Sequence, residues 1–157
     1  MSSVFWTVQT AELAPVFDDT LAMVVAGSNH GIYVDSIEID IDPASASEVY
    51  YLDLRTYSQE TTAAAGGAAI TAVKKNPDDR ETLQVSGRSG PTTEGVSAAD
   101  IDRKVVYISG SSVIRVQWNF SNPRRRVAGG HGLGIFYSST INPNLTPRFN
   151  ITFHGEE

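Results

Sequence analysis

The chain has 157 residues, of which 41% are apolar and 19% are charged, and its formal net charge is −6. This length suits one domain with a core of its own, and the composition is neither that of a disordered chain nor that of a membrane protein. No segment approaches the roughly 18 consecutive apolar residues of a membrane helix. The chain has no cysteine, which excludes disulfides, thiolate zinc sites and cysteine catalysis.

The net charge and the amino terminus narrow the choice of partner and compartment. A negative chain lacks the positive surface that binds a nucleic-acid backbone, so we expect no nucleic-acid partner, and we expect no membrane partner either. The opening residues MSSVFWTVQT lack the basic start and the cleavage site of a secretory signal, which predicts synthesis in a cytoplasm.

Strand patterns follow one another along the chain. The predicted strands cover residues 4–9, 21–26, 32–42, 48–58, 70–73, 81–86, 104–109, 112–120, 133–138 and 148–154. The clearest alternation is IEIDID at residues 37–42, where each isoleucine points to one side of the strand and each acid to the other. Segments rich in glycine, proline, asparagine and aspartate separate the strands.

Helix patterns are scarce, which decides the fold class. Residues 100–104 are a candidate for a single helical turn, and residues 59–69 and 87–100 predict exposed loops. Without long crossover helices the strands pair antiparallel. We therefore predict an all-β fold, a single antiparallel β-sandwich domain over residues 1–157 that is jelly-roll-like and has about eight to ten strands. Residues 1–10 form either its first strand or an amino-terminal arm.

An acidic set is the first candidate for catalysis or calcium binding. It consists of Asp35, Glu38, Asp40 and Asp42. Paired carboxylates can act as acid and base, and oxygen-rich loops bind calcium. Regular strand spacing holds these acids apart instead of directing them at one ion, so we interpret them as the solvated face of a strand.

The glycine-rich stretch and the histidines give weaker signals. GGHGLG at residues 129–134 lacks the lysine of a phosphate-binding loop and precedes a strand, so it predicts a turn or bulge. His30, His131 and His154 each lie beside glycine at a predicted strand end, with no metal-ligand spacing between them. We expect exposed turn histidines and no metal site.

Two segments are the candidates for contact with a partner, an apolar one near the amino terminus and the single basic cluster. Their residues are Val4, Phe5, Trp6, Arg124, Arg125 and Arg126. The apolar segment is either an arm that adds a strand to a neighbouring chain or the ordinary first strand of this domain.

Aromatic residues supply one alternative function. Tyr50 and Tyr51 are adjacent, so on a strand they face opposite sides and at most one lies in the core. Exposed aromatic rings on a β-sandwich can bind sugars by stacking. A carbohydrate-binding module therefore remains an alternative.

The order of features along residues 20–154 is similar to that of small jelly-roll virion proteins of tailed bacteriophages, of the decoration or cement type. Four segments carry the resemblance: Val25-Ala26-Gly27-Ser28-Asn29 leading into residues 32–37, residues 52–56 before Gly66-Gly67, residues 69–73 before Asn76-Pro77-Asp78-Asp79, and residues 130–135 followed by a last strand at 148–154. The basic cluster is a departure from this pattern, which suggests a local partner contact.

The resemblance implies a non-enzymatic structural protein, with no catalytic residues and no cofactor. It implies a capsid decoration or cement protein that lies on the virion surface, binds the major capsid protein and stabilises the head. It also implies a homo-oligomer, with a trimer favoured. A position at the neck or tail is an alternative. An enzyme of the cupin or lyase kind would need histidines and carboxylates that converge.

Overall fold

The computed structural model describes residues 4–10, 19–27, 29–43, 48–58, 68–76, 78, 85–89, 96–108, 112–121, 123–138 and 145–155. Parts of two predicted strands, residues 81–84 and residue 109, lie outside these ranges, as do the central parts of the two predicted loops, residues 59–67 and 90–95.

The described residues form twelve strands. These are β1 (Phe5–Gln9), β2 (Asp19–Ala26), β3 (Ile32–Pro43), β4 (Glu48–Ser58), β5 (Ala68–Ile70), β6 (Val73–Lys74), β7 (Val85–Ser89), β8 (Val96–Ile108), β9 (Ile114–Asn119), β10 (Arg125–Val127), β11 (Gly132–Tyr137) and β12 (Leu145–Gly155). The prediction of an all-β fold is confirmed, and the extra strands are short additions to the expected eight to ten.

The strands form two antiparallel sheets that pack face to face. Sheet A has the order β10-β3-β12-β1-β6, with β9 also pairing with β3, and sheet B has the order β5-β7-β2-β11-β4-β8. Among the described residues, β1 pairs with β12 and β6 of its own chain. The amino-terminal segment is therefore an inner strand of sheet A in this single chain.

The connectivity is that of a jelly roll. Without the short strands β5, β6, β7 and β10, the sheets reduce to β1-β12-β3-β9 and β2-β11-β4-β8. The first four strands alternate between the two sheets, and the last four alternate back and pair with them. This is the double Greek-key arrangement of jelly rolls, so the predicted sandwich topology is present.

The core lies between the sheets and is built by the expected alternation. Ile37, Ile39 and Ile41 of β3 are fully buried and pack with the large rings Phe149 and Phe153 of β12 in one cluster. Burial of apolar surface is the main favourable contribution to folding. Strand periodicity of two therefore predicts the core side of β3 correctly over residues 37–41.

Four β-bulges interrupt the described strand pairings, and three of them change which side chains reach the outer faces. In β3 the bulge leaves Asp35 without an opposite residue on β12, because Ser36 pairs with Thr152 and Val34 with Phe153. In β8 two bulges leave Ile101 and Ala98 unmatched against β4. A bulge redirects side chains, and each of these alters the surfaces described below.

The helical turn predicted over residues 100–104 is wrong. These residues belong to β8, and all of them except the bulged Ile101 pair with β4. The bulge at Ile101 explains the irregular pattern, because it places Asp100 and Asp102 on opposite faces of sheet B. The predicted loops are also shorter than expected, since β5, β7 and the start of β8 extend into residues 68–69, 87–89 and 96–100.

The glycine-rich stretch gives a turn followed by a strand. Gly130 has a φ of 76°, the left-handed region that favours glycine, and it lies in the turn before β11. Gly134 lies within β11, where a Cβ would come 2.8 Å from Met23 Cβ and 3.2 Å from Tyr57 Cε2. The missing side chain therefore makes room for Tyr57, whose hydroxyl reaches Thr20 Oγ1 at 2.5 Å.

Candidate interaction surfaces

A row of four side chains crosses the outer face of sheet A. Phe5 pairs with His154, His154 pairs with Tyr33, and Tyr33 pairs with Arg126. Directly opposed residues of antiparallel strands point to the same face. The row therefore joins a residue of the apolar segment to a residue of the basic cluster, although the two segments lie far apart in the sequence.

His154 holds this row together. Its ring stacks on Tyr33 with centroids 5.5 Å apart and meets the edge of Phe5 at 5.4 Å. Its Nδ1 lies 2.9 Å from Asp35 Oδ2, and the bulge at Asp35 directs this carboxylate towards the imidazole. The imidazole is 2% exposed, so the prediction of an exposed turn histidine is wrong for His154. Burial follows because neighbouring rings cover it on both sides.

The remaining predicted contact residues occupy different positions. Trp6 is 8% exposed and belongs to the core, and Val4 packs against that core. Arg124 is exposed just before β10, whereas Arg125 is half-buried and pairs with Val34. Phe5 and Arg126 are therefore the two predicted residues that the fold places together at the surface.

Much of the outer face of sheet A beyond this row is polar and internally paired. Arg115 donates two hydrogen bonds to Asp40, at 2.7 and 2.9 Å, and Arg148 pairs with Asp42 at 3.2 Å. The hydrogen bond from Arg115 holds the pKa of Asp40 below its usual range, although partial burial opposes it. The predicted acidic face is thus neutralised by cations on neighbouring strands.

Glu38 belongs to the same face but joins amide side chains. Gln117 donates to Glu38 Oε1 at 3.1 Å, and Asn150 donates to Glu38 Oε2 at 3.4 Å. Thr7 in turn donates to Asn150 Oδ1 at 2.5 Å. Four adjacent strands are linked by this chain of hydrogen bonds, so the acids serve cohesion of the sheet instead of converging on an ion.

The outer face of sheet B carries an apolar block that sequence reasoning missed. Val49 and Tyr51 of β4 lie opposite Tyr107 and Val105 of β8. Their exposed fractions are 41% and 40% on β4, and 61% for each residue on β8. We call these four residues the apolar block. Tyr50 is 2% exposed, so the prediction that one of the two adjacent tyrosines is buried and the other lies at the surface is confirmed.

Two ion pairs follow the apolar block along the same strands. Arg103 donates to both carboxylate oxygens of Asp53, at 2.5 and 2.8 Å, and Arg55 donates to Asp100 at 2.6 Å. The hydrogen bonds to Asp53 raise the pKa of the Arg103 guanidinium. The Arg55 guanidinium also lies 3.6 Å from the ring centre of Phe136, so this face contains charges that are already balanced.

A cleft of about 320 Å³ opens at one edge of the sandwich, between β1 on one side and β5 and β7 on the other. Trp6, Ile70 and Val85 line it. Trp6 Nε1 is buried there and has no hydrogen-bond partner within the described ranges. The cleft is small and shallow compared with the two outer faces.

Metal-binding clusters and membrane-spanning helices are both absent from the described ranges. No group of three or more His, Asp or Glu side chains there comes close enough to hold a metal ion. His30 and His131 are exposed, as predicted. The same ranges contain no helix that is long and apolar enough to cross a membrane.

Connectivity and surfaces together define a jelly-roll β-sandwich whose two outer faces differ in character. No protein-family model matches the chain, and no curated protein or solved structure gives a significant match. The resemblance to phage decoration proteins therefore stays a prediction.

The sequence contains two local signals that bear on these surfaces but do not locate them. In DRKVVY at residues 102–107, alternation puts Val106 on one face and Val105 and Tyr107 on the other, so both faces of β8 carry apolar residues. In β3, apolar residues change from even positions (Ile32, Val34) to odd ones from Ile37 onwards. A change of phase within one strand indicates a bulge.

Proposed function

We propose that this chain is a non-enzymatic structural protein of a tailed-phage virion. It is made in the host cytoplasm, decorates the capsid surface by binding the major capsid protein, and so stabilises the head. The observation that carries the proposal is the row Phe5, His154, Tyr33 and Arg126 on the outer face of sheet A. The jelly roll supports it, because this architecture recurs in viral capsid proteins.

The row has the composition of a protein-binding surface. Aromatic residues and arginine are enriched in interfaces and supply most of the binding free energy. Phe5 is 42% exposed, and Arg126 is exposed at the other end of the row. These residues stand on paired strands, so little conformational entropy is lost when they bind.

The electrostatics of the row favour an acidic partner surface. The chain has a net charge of −6, yet Arg124 and Arg126 are both exposed at this end of sheet A. Exposed arginines at one end of a face steer a chain towards acidic patches on a partner. Binding is therefore expected to weaken as salt concentration rises.

The His154–Asp35 pair supports a structural role over a catalytic one. A general base must come within hydrogen-bond reach of its substrate. His154 is 2% exposed, its Nδ1 contacts Asp35, and its Nε2 is buried. The pair fixes the positions of Phe5 and Tyr33 instead of presenting a proton acceptor to solvent.

Co-sedimentation with phage heads that lack this chain tests the proposal. We expect saturable binding of the wild-type chain, and roughly tenfold weaker binding of Phe5→Ser and of Arg126→Ser. Arg115→Ser is the matched control, since it removes an exposed arginine from the same face outside the row. Absence of binding, or equal loss in all three variants, would contradict the proposal.

The alternatives give different outcomes in related experiments. A neck or tail component binds tails or connectors instead of heads. A carbohydrate-binding module binds glycans through Tyr51 or Tyr107, which are the most exposed rings of sheet B, and Phe5→Ser leaves that binding unchanged. Labelling the chain on intact virions shows whether it lies at the neck or tail instead of on the head. A glycan array shows whether it binds sugars.

A further inference from the structure

The four side chains of the apolar block on sheet B remain accessible to solvent. Exposure of 40% to 61% at four contiguous apolar residues leaves roughly 350 Å² of side-chain surface in water, taking whole tyrosines at about 200 Å². Apolar patches of this size on a single chain often mark interaction sites. The question is which partner fits this one.

The block has a checkerboard arrangement. Val49 lies opposite Tyr107, and Tyr51 lies opposite Val105. Each cross-strand pair therefore joins one large and one small side chain. The two tyrosines occupy one diagonal and the two valines the other.

The next two pairs along the same strands show the same complementarity in charge. Asp53 lies opposite Arg103, and Arg55 lies opposite Asp100. Thus the outward positions of β4 carry valine, tyrosine, acid and base in order, and those of β8 carry tyrosine, valine, base and acid. Each charged pair is already joined within the chain. The two strands are complementary to each other at four successive outward positions.

We propose that this face binds the same face of a second copy of the chain. The twofold axis lies between β4 and β8 and runs parallel to them, so β4 of one copy covers β8 of the other. Every tyrosine then meets a valine of the other copy. The sheets stack in the aligned manner of β-sandwiches, about 10 Å apart.

The complementarity in size favours a second copy over other occupants. Under this symmetry each tyrosine ring lies over a valine of the other copy, whereas Asp53, which is 2% exposed, stays paired with Arg103 of its own chain. Isologous twofold contacts of this kind are the commonest in soluble oligomers. An unrelated partner would need an independent surface with the same alternation of size.

Contact through the face is favoured over pairing at the free edge of β8. Among the described strands β8 pairs with β4 alone, but the bulges at Ile101 and Ala98 make β8 an irregular strand. Asp102 also points inward, where Trp118 donates to it. Bulges and inward-pointing charges are devices that prevent edge-to-edge pairing.

The area of the apolar block sets the expected affinity of the dimer. A standard interface buries about 800 Å² per partner, so the block supplies roughly the central half and the ion pairs supply the rim. We expect a reversible dimer with a dissociation constant of about 1–100 μM. This proposal is independent of the partner of sheet A, because the contact leaves Phe5 and Arg126 uncovered.

Sedimentation velocity over a range of protein concentrations tests the proposed dimer. We expect the wild-type chain to move from monomer to dimer, and Val105→Asp to weaken the dimer at least tenfold because a carboxylate would be buried against Tyr51 of the second copy. Val113→Asp is the matched control, because Val113 is also 61% exposed but lies outside the block. Equal unfolding temperatures of Val105→Asp and Val113→Asp would show that a loss of folding does not cause the weaker dimer.

Three results would overturn the proposal. The first is a wild-type chain that stays monomeric up to about 1 mM. The second is a trimer, or a dimer that Val105→Asp and Val113→Asp affect equally. The third is a glycan that binds the wild-type monomer and is lost in Val105→Asp, which would assign the block to sugar binding.

Discussion

The indole N–H of Trp118 in sheet A donates a hydrogen bond to Asp102 Oδ2 in sheet B at 2.8 Å. The bond closes the sandwich at the edge formed by β8 and β9. It exists because the bulge at Ile101 turns Asp102 to the inner face of sheet B. Lys104 lies on the same side of β8, with its Nζ 5.3 Å from the Trp118 ring centre. Trp118 therefore contacts both charged side chains, Asp102 through its N–H and Lys104 through its ring.

Removing this link should weaken the sandwich. We expect Asp102→Ala to lower the free energy of unfolding by about 1–3 kcal/mol, because the buried indole N–H loses a charged acceptor. Asp102→Asn keeps an acceptor oxygen and should lose less. Urea unfolding measures both, and equal stability of Asp102→Ala and the wild type would show that the bond contributes nothing.

The ion pair between Arg103 and Asp53 should show strong coupling. Asp53 is 2% exposed, so Arg103→Met leaves a buried carboxylate without its cation and is expected to destabilise the fold. The double variant Asp53→Leu with Arg103→Met removes the stranded charge as well. We expect the double variant to unfold at a higher temperature than Arg103→Met alone. The reverse order would mean that Asp53 is stabilised chiefly by other groups.

Two glycines should resist substitution for different reasons. Gly134→Ala places a methyl group 2.8 Å from Met23 Cβ, and overpacking of this kind costs about 1–3 kcal/mol. Gly130 has open space around its Cβ position but a φ of 76°, so Gly130→Val should be destabilising and Gly130→Asn nearly neutral. Thermal unfolding of the three variants checks this. A neutral Gly130→Val would contradict the conformational argument.

We expect the ionisation of Asp40 to make folding stability weakly dependent on pH. Its hydrogen bond with Arg115 lowers the folded-state pKa below the usual value of 3.8. The stabilisation is therefore present above about pH 4 and is lost as the pH falls through the folded-state pKa. The difference in Tm between the wild type and Asp40→Asn should be no more than about 2 °C at pH 7, because the pair is exposed. This difference should shrink below about pH 4, and a constant difference would contradict the assignment.

The regular strands could be predicted from local pattern, whereas the surfaces depend on pairing. IEIDID at residues 37–42 gives its buried side directly, because alternation and burial coincide there. The position of His154 depends on Phe5 and Tyr33, which are distant in the sequence and become neighbours only through strand register. A one-residue shift in register would reverse every outward side chain.

The apolar block could not be predicted from the sequence either, because it also depends on strand pairing. Val105 and Tyr107 look like ordinary strand residues until β8 is known to be an edge strand whose core side holds Val106. The bulges at Ile101 and Ala98 have no simple sequence signature, and they led to the incorrect helical turn over residues 100–104. Local sequence pattern therefore does not predict the order of strands in a sheet or the positions of the bulges.

Hydroxyl-radical footprinting of free and head-bound chain tests the central claim, that the two outer faces of the sandwich bind different partners. The method reports the solvent exposure of Phe5, Tyr33, Tyr51 and Tyr107 in one measurement. We predict that oxidation of Phe5 and Tyr33 falls on binding to heads. Oxidation of Tyr51 and Tyr107 should fall with increasing chain concentration, with or without heads. Unchanged oxidation of Phe5 and Tyr33 on heads that bind the chain would contradict the account.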